Sequence, residues 1–248
     1  MNEIPSGRRL EGRVALVTGA SRGVGAAVAR AYAAEGAQLI LVARTVGGLE
    51  EVDDAVRAAG APAATLVPLD ITDGPGIDRL GGAIFERHGR LDVLVGNAAS
   101  LGTLTPASHL KPETWDQTLA INLTANWRLI RSMDPLLRQS QAGRAIFVTS
   151  RASLATPPYW AAYAASKAAL DALVTSWAGE LNKTAVKANL LDPGKLRTAM
   201  RARAFPGEDP ETLDSPDAVA EAFVRLALPL WERNGARIVA RELLAGSC

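Results

Sequence analysis

Short β-rich runs alternate with longer helical stretches along almost the whole chain. Parallel strands need long crossover connections, and helices provide them on both faces of a sheet. The alternation therefore predicts an α/β fold with three layers, a doubly wound parallel sheet of seven strands between two layers of helices. The predicted strands are Val14–Thr18, Gln38–Ala43, Thr65–Leu69, Asp92–Val95, Ala145–Thr149, Ala185–Leu191 and Arg237–Ala240.

Helical periodicity and proline positions mark the connections between these strands. One stretch, Lys195–Ser215, has no clear pattern and contains Pro206, Gly207 and Pro210. It is interpreted as a mobile loop with a short helix at Leu196–Arg203, and as a candidate substrate lid. The predicted long helices are Val24–Glu35, Leu49–Ala59, Ile77–His88, Pro112–Leu137, Ala161–Asn182 and Pro216–Ala227.

The composition predicts one soluble domain that acts on small molecules. A chain of 248 residues with 48% hydrophobic content can bury one core, so we expect residues 1–248 to form a single domain. The net charge of +1 argues against nucleic acid or an anionic membrane as a partner. The polar stretch Met1–Leu10 lacks the apolar centre of a signal peptide, and no apolar run reaches the ~20 residues that span a bilayer.

Cysteine and histidine usage narrows the chemistry further. The single cysteine, Cys248, excludes an internal disulfide framework and a cysteine-based zinc site, and suits a reducing cytoplasm. The two histidines, His88 and His109, have no converging carboxylate pattern, so no metal site is expected. We therefore expect a cytoplasmic protein without a metal ion.

A glycine-rich turn connects the first predicted strand to the first helix. Three glycines between a strand and a helix allow the backbone to approach a pyrophosphate, which the positive end of the helix then holds. The spacing is G-x-x-x-G-x-G, so its strand-turn-helix context supports dinucleotide binding, while a glycine turn without a ligand remains an alternative. The predicted phosphate-binding residues are Gly19, Ser21, Arg22, Gly23, Val24 and Gly25.

The end of the second strand indicates which dinucleotide binds. An NAD site uses an acidic residue there to hold the ribose 2′-hydroxyl, but no acidic residue follows the strand until Glu50. Arg44 and Arg22 supply guanidinium groups suited to a 2′-phosphate, so NADP(H) is preferred over NAD(H), unless both are ordinary surface arginines. Asp70, with its neighbour Ile71, is placed in the adenine part of the site, although Asp70 also suits a turn N-cap.

Tyr163 and Lys167 lie four residues apart in one predicted helix and therefore share a face. An adjacent cation favours the phenolate and lowers the pKa of a tyrosine, which makes it a usable proton donor or acceptor. A plain amphipathic helix is the alternative interpretation. Ser150 ends a strand where open α/β sheets bind ligands, so its hydroxyl is expected to hold a substrate carbonyl; Ser153 is the local rival.

Together these residues resemble the short-chain dehydrogenase/reductase family over nearly the whole chain. The resemblance implies a Rossmann fold with strand order 3-2-1-4-5-6-7 and hydride transfer at the nicotinamide C4. It implies that Tyr163 is the acid/base, that Lys167 lowers its pKa and binds the nicotinamide ribose, and that Ser150 orients the reacting oxygen. It also implies that Asn122 holds a relay water, with an exposed helical Asn as the alternative. Further cofactor contacts are implied for Asn97, Ala98, Pro193, Gly194 and Thr198.

Two departures from the family pattern concern the edges of the site. Ala99 stands where the family has glycine, which adds a methyl group close to the cofactor. The chain ends in Arg241-Glu242-Leu243-Leu244 without the usual Asp-Gly-Gly, which affects the expected C-terminal contribution to the substrate site and to assembly.

The expected function is NADP(H)-dependent interconversion of a carbonyl and an alcohol on a small organic substrate. The alternative is an NADP(H)-binding redox sensor with little turnover. The resemblance implies a homo-oligomer, a tetramer or dimer, formed through Pro112–Leu137 and Ala161–Asn182. Trp160 lines the substrate pocket or belongs to a core or interface. The arginines of the lid either attract an anionic substrate or form a solvated face; they are Arg197, Arg201 and Arg203.

Overall fold

The computed structural model describes residues 8–246. Cys248 and most of the Met1–Leu10 stretch lie outside the described residues. Within the described part, a seven-stranded sheet has all of its strands parallel, in the order β3-β2-β1-β4-β5-β6-β7. This confirms the predicted fold class and strand order. The strands are β1 Val14–Thr18, β2 Gln38–Ala43, β3 Thr65–Pro68, β4 Val93–Gly96, β5 Arg144–Val148, β6 Lys187–Asp192 and β7 Arg237–Val239.

Helices cover both faces of this sheet, as crossover connections between parallel strands require. Helix α3 begins after Asp73, whose side chain accepts a hydrogen bond from the N–H of Gly76, and it ends at Gly89 in a left-handed conformation. The helices are α1 Gly23–Ala34, α2 Val46–Ala58, α3 Gly74–His88, α4 Pro112–Leu119, α5 Ala125–Arg138, α6 Ala152–Ala155, α7 Ala161–Glu180, α8 Ala199–Ala204, α9 Ala220–Ala227 and α10 Ala240–Leu244.

Two apolar cores lie on opposite faces of the sheet because side chains alternate along each strand. In β1, Ala15 and Val17 pack into the core beneath α1, α2 and α9, while Val14 and Leu16 pack into the core beneath α3, α5 and α7. Every residue of β1 and of β5 is buried. Burial on both faces is why these strands are continuous apolar runs rather than alternating ones.

The helix predicted over Pro112–Leu137 is interrupted. Helices α4 and α5 are joined by a π-helical turn, Ala120–Thr124, which contains Asn122. The carbonyl of Asn122 accepts a hydrogen bond of 2.8 Å from the Asn126 side chain. Single π-helical turns are frequent at functional sites, and this one lies beside the cleft described below. Periodicity could not reveal it, because a single π-helical turn is too short to show a period of its own.

The segment 195–215, interpreted from sequence as a mobile loop, contains α8 and two internal ion pairs. The guanidinium of Arg201 contacts the Glu208 carboxylate at 2.5 Å, and that of Arg197 contacts Glu211 at 2.7 Å. Thr198 caps α8 by accepting from the N–H of Arg201 at 3.1 Å. The helix begins three residues later than predicted because Thr198 adopts an extended conformation. The function of segment 195–215 as a lid stays a prediction.

Smaller differences concern short elements and their ends. The predicted helix Pro216–Ala227 begins as a 3₁₀ turn over Pro216–Val219 before α9, and the short helices α6 and α10 were not predicted. Both of these helices are four or five residues long, which is too short for a periodic pattern to show. Within residues 8–246, no helix is both long and apolar enough to cross a membrane.

Candidate active site

A cleft of about 1130 Å³ opens at the carboxyl ends of the strands. Open α/β sheets place their ligands at this edge because the loops that follow each strand meet there. Of the site residues predicted from sequence, all line the cleft except Gly25 and Asn122, which lie behind its surface. The predicted cofactor residues and the predicted catalytic residues therefore share one cavity.

The glycine turn is tied to the end of β4 by a set of hydrogen bonds around Thr18. The Thr18 hydroxyl oxygen accepts from the N–H groups of Asn97 and Ala98 at 3.0 and 3.1 Å. The Asn97 side chain donates back to the carbonyl of Thr18 at 2.9 Å and to that of Gly19 at 3.3 Å. Asn97 thus holds the glycine turn in place. The resemblance implied a contact of Asn97 with the cofactor and did not imply this structural role.

Glycine is required at two positions of this turn. Gly19 has a φ of +65°, in the left-handed region. A Cβ on Gly25 would lie 2.3 Å from the Gly19 carbonyl oxygen and 2.7 Å from the Asn97 Nδ2. These contacts show how tightly the start of α1 folds back on the turn, so Gly25 contributes close packing rather than a direct surface for the ligand.

The amino end of α1 faces the cleft with residues that suit a phosphate. Arg22 is the extended N-cap residue, and among the described residues no side chain caps this helix end. The first turn carries no acidic side chain, and Ser21, Arg22 and Gly23 line the cavity. Free N–H groups at the positive end of a helix bind anions, so the turn fits the pyrophosphate of a dinucleotide.

Arg44 and Asp70 lie side by side at the other end of the cleft. Arg44 is 67% exposed, and its guanidinium lies 3.8 Å from the Asp70 carboxylate. Asp70 accepts from the N–H and the hydroxyl of Thr72 at 2.9 and 2.7 Å, and these hydrogen bonds lower its pKa. Asp70 therefore has the turn-forming role that was its alternative interpretation, while it also lines the cavity. The exposed Arg44 can move to a ligand at little cost.

Tyr163 and Lys167 face the cleft from α7, next to Ser150 at the end of β5. Both α7 side chains are buried, with 7% and 1% of their surface exposed. The Lys167 ammonium donates to the carbonyl of Val148 at 2.8 Å and lies 6.0 Å from the centroid of the Tyr163 ring. Helix α7 is therefore not a plain amphipathic helix, because a phenol and an ammonium group on one of its faces point into the cleft.

Burial shifts both pKa values away from their ordinary range. It raises the pKa of Tyr163 to about 12; the hydrogen bond with Ser150 opposes this rise and the Asp192 carboxylate adds to it. Burial lowers the pKa of Lys167 to about 8, against the attraction of Asp171. The net shift of the Tyr163 pKa is thus upward, opposite to the lowering expected from the four-residue spacing, and desolvation of the phenolate is its largest cause.

Asn122 is completely buried, which excludes the alternative of an exposed helical asparagine. Its side chain accepts from the N–H of Ser100 at 2.7 Å and donates to the Ser100 carbonyl at 2.8 Å. It also donates to the Ser166 hydroxyl at 2.9 Å. These bonds connect the loop after β4 to α7, so Asn122 supports the helix face that carries Tyr163 and Lys167.

The surroundings of Ser150 and Ser153 distinguish these two candidates. Ser150 lines the cleft, whereas the Ser153 hydroxyl is turned away to the Asp171 carboxylate at 2.7 Å. Asp171 also accepts from Arg237, which contacts the Asp192 carboxylate at 3.0 Å as well. Sequence reasoning missed these three charged residues; an aspartate one turn after Lys167 was the one available signal.

An aromatic and aliphatic wall adjoins Tyr163 on the side of α8. The Trp160 ring meets the Tyr163 ring edge to face at 5.8 Å and the Phe205 ring at 5.7 Å. Leu101 and Met200 complete the wall, and Trp160 lines the cleft. Trp160 therefore lines the cleft and also packs against this apolar cluster, and its contact with a substrate stays a prediction. Arg201 and Arg197 are paired with acidic residues, which leaves Arg203 as the lid arginine that lines the cleft without a carboxylate partner among the described residues.

A sequence model of the short chain dehydrogenases matches residues 13–209. The chain belongs to the short-chain dehydrogenase family. It is 33% identical over 228 residues to YciK, an uncharacterised oxidoreductase of Escherichia coli, with 91% of this chain and 90% of that protein covered. The family binds a nicotinamide cofactor, and the glycine turn and the start of α1 fit its phosphates.

Solved structures place this short-chain dehydrogenase among close structural neighbours. A short chain dehydrogenase from Salmonella enterica has a TM-score of 0.92 and 31% identity, over 96% of this chain and 99% of that one. A protein from Escherichia coli whose structure contains NADPH has a TM-score of 0.90 and 32% identity, over 96% of this chain and 100% of that one. These identities and coverages support the family assignment over nearly the full length.

The packing at Gly25 predicts that Gly25→Ala weakens binding of nicotinamide dinucleotides. The added methyl group must displace the Gly19 carbonyl, at a cost of about 1–3 kcal/mol, or roughly 5- to 150-fold in Kd. Fluorescence titration with NADPH and NADH measures this. Gly47→Ala is the matched control, because a Cβ there meets nothing within 4 Å. Equal affinity in both variants would contradict the proposed role of the turn.

Proposed function

We propose that this short-chain dehydrogenase is an NADP(H)-dependent oxidoreductase that interconverts a carbonyl and an alcohol on a small organic substrate. The observation that carries the proposal is the convergence of Ser150, Tyr163 and Lys167 on one wall of the cleft that begins at the glycine turn. A binding protein without turnover has no need for this set, so the redox-sensor alternative gains no support. When bound, the nicotinamide supplies or takes up the hydride.

Tyr163 carries the proton in this proposal. A phenol with a pKa of about 12 is protonated at neutral pH, so Tyr163 is ready to give its proton to the oxygen of a carbonyl substrate. The Ser150 hydroxyl holds that oxygen by a hydrogen bond. The Lys167 ammonium stabilises the phenolate that remains, and Asn122 keeps α7 in position. For alcohol oxidation the same groups act in reverse, with the phenolate as the base.

The remaining cofactor residues are proposed to act as their positions suggest. Arg44 and Arg22 line the cleft and suit a 2′-phosphate, and the NADPH-containing structure of a relative supports the preference for NADP(H). Asp70 with Ile71 receives the adenine. Asn97 and Ala98 line the side of the cleft that is proposed to receive the nicotinamide. The Pro193-Gly194 loop and Thr198 cover that side of the cleft, and Gly194 has the positive φ of +79° that this turn needs.

The substrate is proposed to have an apolar group beside its carbonyl. The cleft next to Tyr163 is lined by Trp160, Leu101 and Met200, and the Phe205 ring packs on the Trp160 ring; apart from the Trp160 indole N–H, these side chains offer rings and alkyl groups. Apolar pockets with one polar anchor are typical of small-molecule sites. Segment 195–215 is proposed as the lid over this group. The guanidinium of Arg203 is proposed to attract an anionic group, if the substrate carries one.

Two further proposals concern the setting. Trp115 on α4 and Trp127 on α5 are 37% and 44% exposed, which supports an assembly of copies through these helices. A net charge near zero and the nicotinamide chemistry suit a small-molecule enzyme of the cytoplasm.

Tyr163→Phe is expected to reduce turnover by 10²- to 10⁴-fold, roughly the contribution of a general acid, while NADPH binding is retained. The measurement is NADPH absorbance with a panel of alkyl and aryl ketones, aldehydes and polyols. Tyr159→Phe, an exposed tyrosine near the same loop, is the control and should keep full activity. A Tyr163→Phe enzyme as active as the wild type would rule out the proposed proton transfer.

Arg44→Ala is expected to weaken NADPH binding about tenfold or more, because one charged hydrogen bond contributes roughly 1.5–3 kcal/mol. NADH binding should stay within about twofold, since that ligand lacks the 2′-phosphate. Parallel titrations with both dinucleotides measure the ratio, with the exposed Arg79→Ala as the control. A wild-type enzyme that prefers NADH would refute the role of Arg44.

A further inference from the structure

Arg237, the first residue of β7, connects the part of the cleft that carries Ser150, Tyr163 and Lys167 to the last strand of the sheet. Its Nη1 contacts the Asp171 carboxylate at 2.6 Å, and its Nη2 contacts the Asp192 carboxylate at 3.0 Å. The same Nη2 donates to the carbonyl of Ser150 at 2.9 Å. One guanidinium therefore joins the ends of β5 and β6 to the middle of α7, with a forked geometry that only arginine provides.

Each of these partners adjoins a residue of the proposed active site. Asp171 follows Lys167 by one turn of α7, on the same helix face. Asp192 accepts from the N–H of Gly194 at 3.0 Å and so shapes the Pro193-Gly194 loop. The third partner is the main chain of Ser150 itself. Displacing the guanidinium would release all three at once.

The network is built from partly buried charges, which are costly unless they are paired. The side chains of Arg237, Asp171 and Asp192 are 21%, 18% and 6% exposed. The hydroxyls of Thr149 and Ser153 complete the hydrogen bonds of Asp171. Apolar residues often give equal stability at such positions, so stability alone does not account for a charge cluster beside Tyr163 and Lys167.

The charges of this cluster balance. Two cations, Lys167 and Arg237, face two carboxylates, Asp171 and Asp192. Asp171 pulls the pKa of Lys167 upward, and Asp192 raises that of Tyr163. Without the guanidinium, the cluster would carry one net negative charge beside a phenol that must become an anion.

We propose that Arg237 is a positioning residue of the proton-transfer site, which holds the Ser150 carbonyl in place and neutralises the Asp171 and Asp192 carboxylates next to Lys167 and Tyr163. Its kinetic consequences rest on the proposed function, but its effect on the charge of Lys167 does not. The family resemblance implies no role for this position, and the chain lacks the usual Asp-Gly-Gly after the last strand.

Other charged groups near α7 have little effect on the charge balance of this cluster. On α4, Glu113 and Asp116 are exposed, as is Arg151 before α6. The arginines of segment 195–215 that line the cleft are Arg197 and Arg201, each paired with a glutamate, and the exposed Arg203. Solvent screens exposed charges strongly, so the paired groups at Arg237 dominate.

The first measurement is the titration of Lys167 by NMR of ¹³Cε-labelled lysine in the full chain, which has five lysines. The Lys167 signal is assigned by its loss in Lys167→Met. Arg237→Gln is expected to raise the pKa of Lys167 from about 8 by about one unit, because the pull of Asp171 is no longer offset. Arg237→Lys should stay near the wild-type value, since the charge is kept.

Two more variants test the sign of the effect. Asp171→Asn is expected to lower the pKa of Lys167, and this variant keeps the test open if Arg237→Gln does not fold. The double variant Arg237→Gln/Asp171→Asn removes one charge of each sign and should return the pKa toward the wild-type value. Arg241→Gln, an exposed arginine on α10, is the control that should change nothing.

The second measurement is the pH profile of alcohol oxidation. In Arg237→Gln the limb over which the rate rises with pH is expected to move to higher pH, since added negative charge disfavours the Tyr163 phenolate that acts as the base. In Arg237→Lys the limb should stay in place while kcat falls about tenfold, because a lysine lacks the fork that holds the Ser150 carbonyl. A purely structural residue would lower the melting temperature and leave both pH readouts unchanged.

The outcomes separate the two proposals. If the wild type shows no turnover on any carbonyl or alcohol, the proposed function fails, and the Lys167 titration still tests the charge balance. If the wild type is active and the Arg237→Gln variant keeps the pKa of Lys167 and the pH profile, the positioning role is overturned and the proposed function stands.

Discussion

The buried ammonium group of Lys167 is the constraint on which this active site depends. An unpaired buried cation is costly, so the fold has to surround it with partners. The carbonyl of Val148 accepts its hydrogen bond, and Asp171 lies one turn along the same helix. Burial nevertheless lowers its pKa to about 8, so the group remains largely protonated at neutral pH. A charge held this way acts on Tyr163 at short range with little screening by water.

The parallel sheet explains how distant parts of the chain meet at this charge. All seven strands point the same way, so the glycine turn after β1, Asn97 after β4 and Ser150 after β5 open onto one edge. Hydrogen bonds then tie these loops to each other. Thr18 and Asn97 tie the first pair, and Asn122 ties the loop after β4 to α7. The loops of the site are therefore connected largely by hydrogen bonds between side chains and the main chain.

Much of this arrangement could be predicted from the sequence. The bounds of β1 and β2 agree with the predicted ones because both are apolar runs bordered by clear turn residues. The glycine turn, Ser150, Tyr163 and Lys167 were found from local patterns, and the strand order came from the family resemblance. The ends of other elements moved by a few residues because capping depends on individual side chains.

Features that depend on tertiary contacts could not be predicted. The ion pair of Arg201 with Glu208 orders part of a segment whose prolines and glycine suggested mobility. The pKa of Tyr163 rises because the phenol is buried, and burial is not visible in a four-residue spacing. Arg237 looked like an ordinary strand residue, since its partners Asp171 and Asp192 lie far from it in the sequence.

The most direct test of the account is a crystal structure of the protein with NADP⁺. The account predicts the phosphates at the start of α1, the 2′-phosphate near Arg44, and the nicotinamide beside Tyr163. The Lys167 ammonium should lie within about 3 Å of a ribose hydroxyl. A dinucleotide whose nicotinamide is bound away from Tyr163, or outside the cleft above the glycine turn, would contradict it.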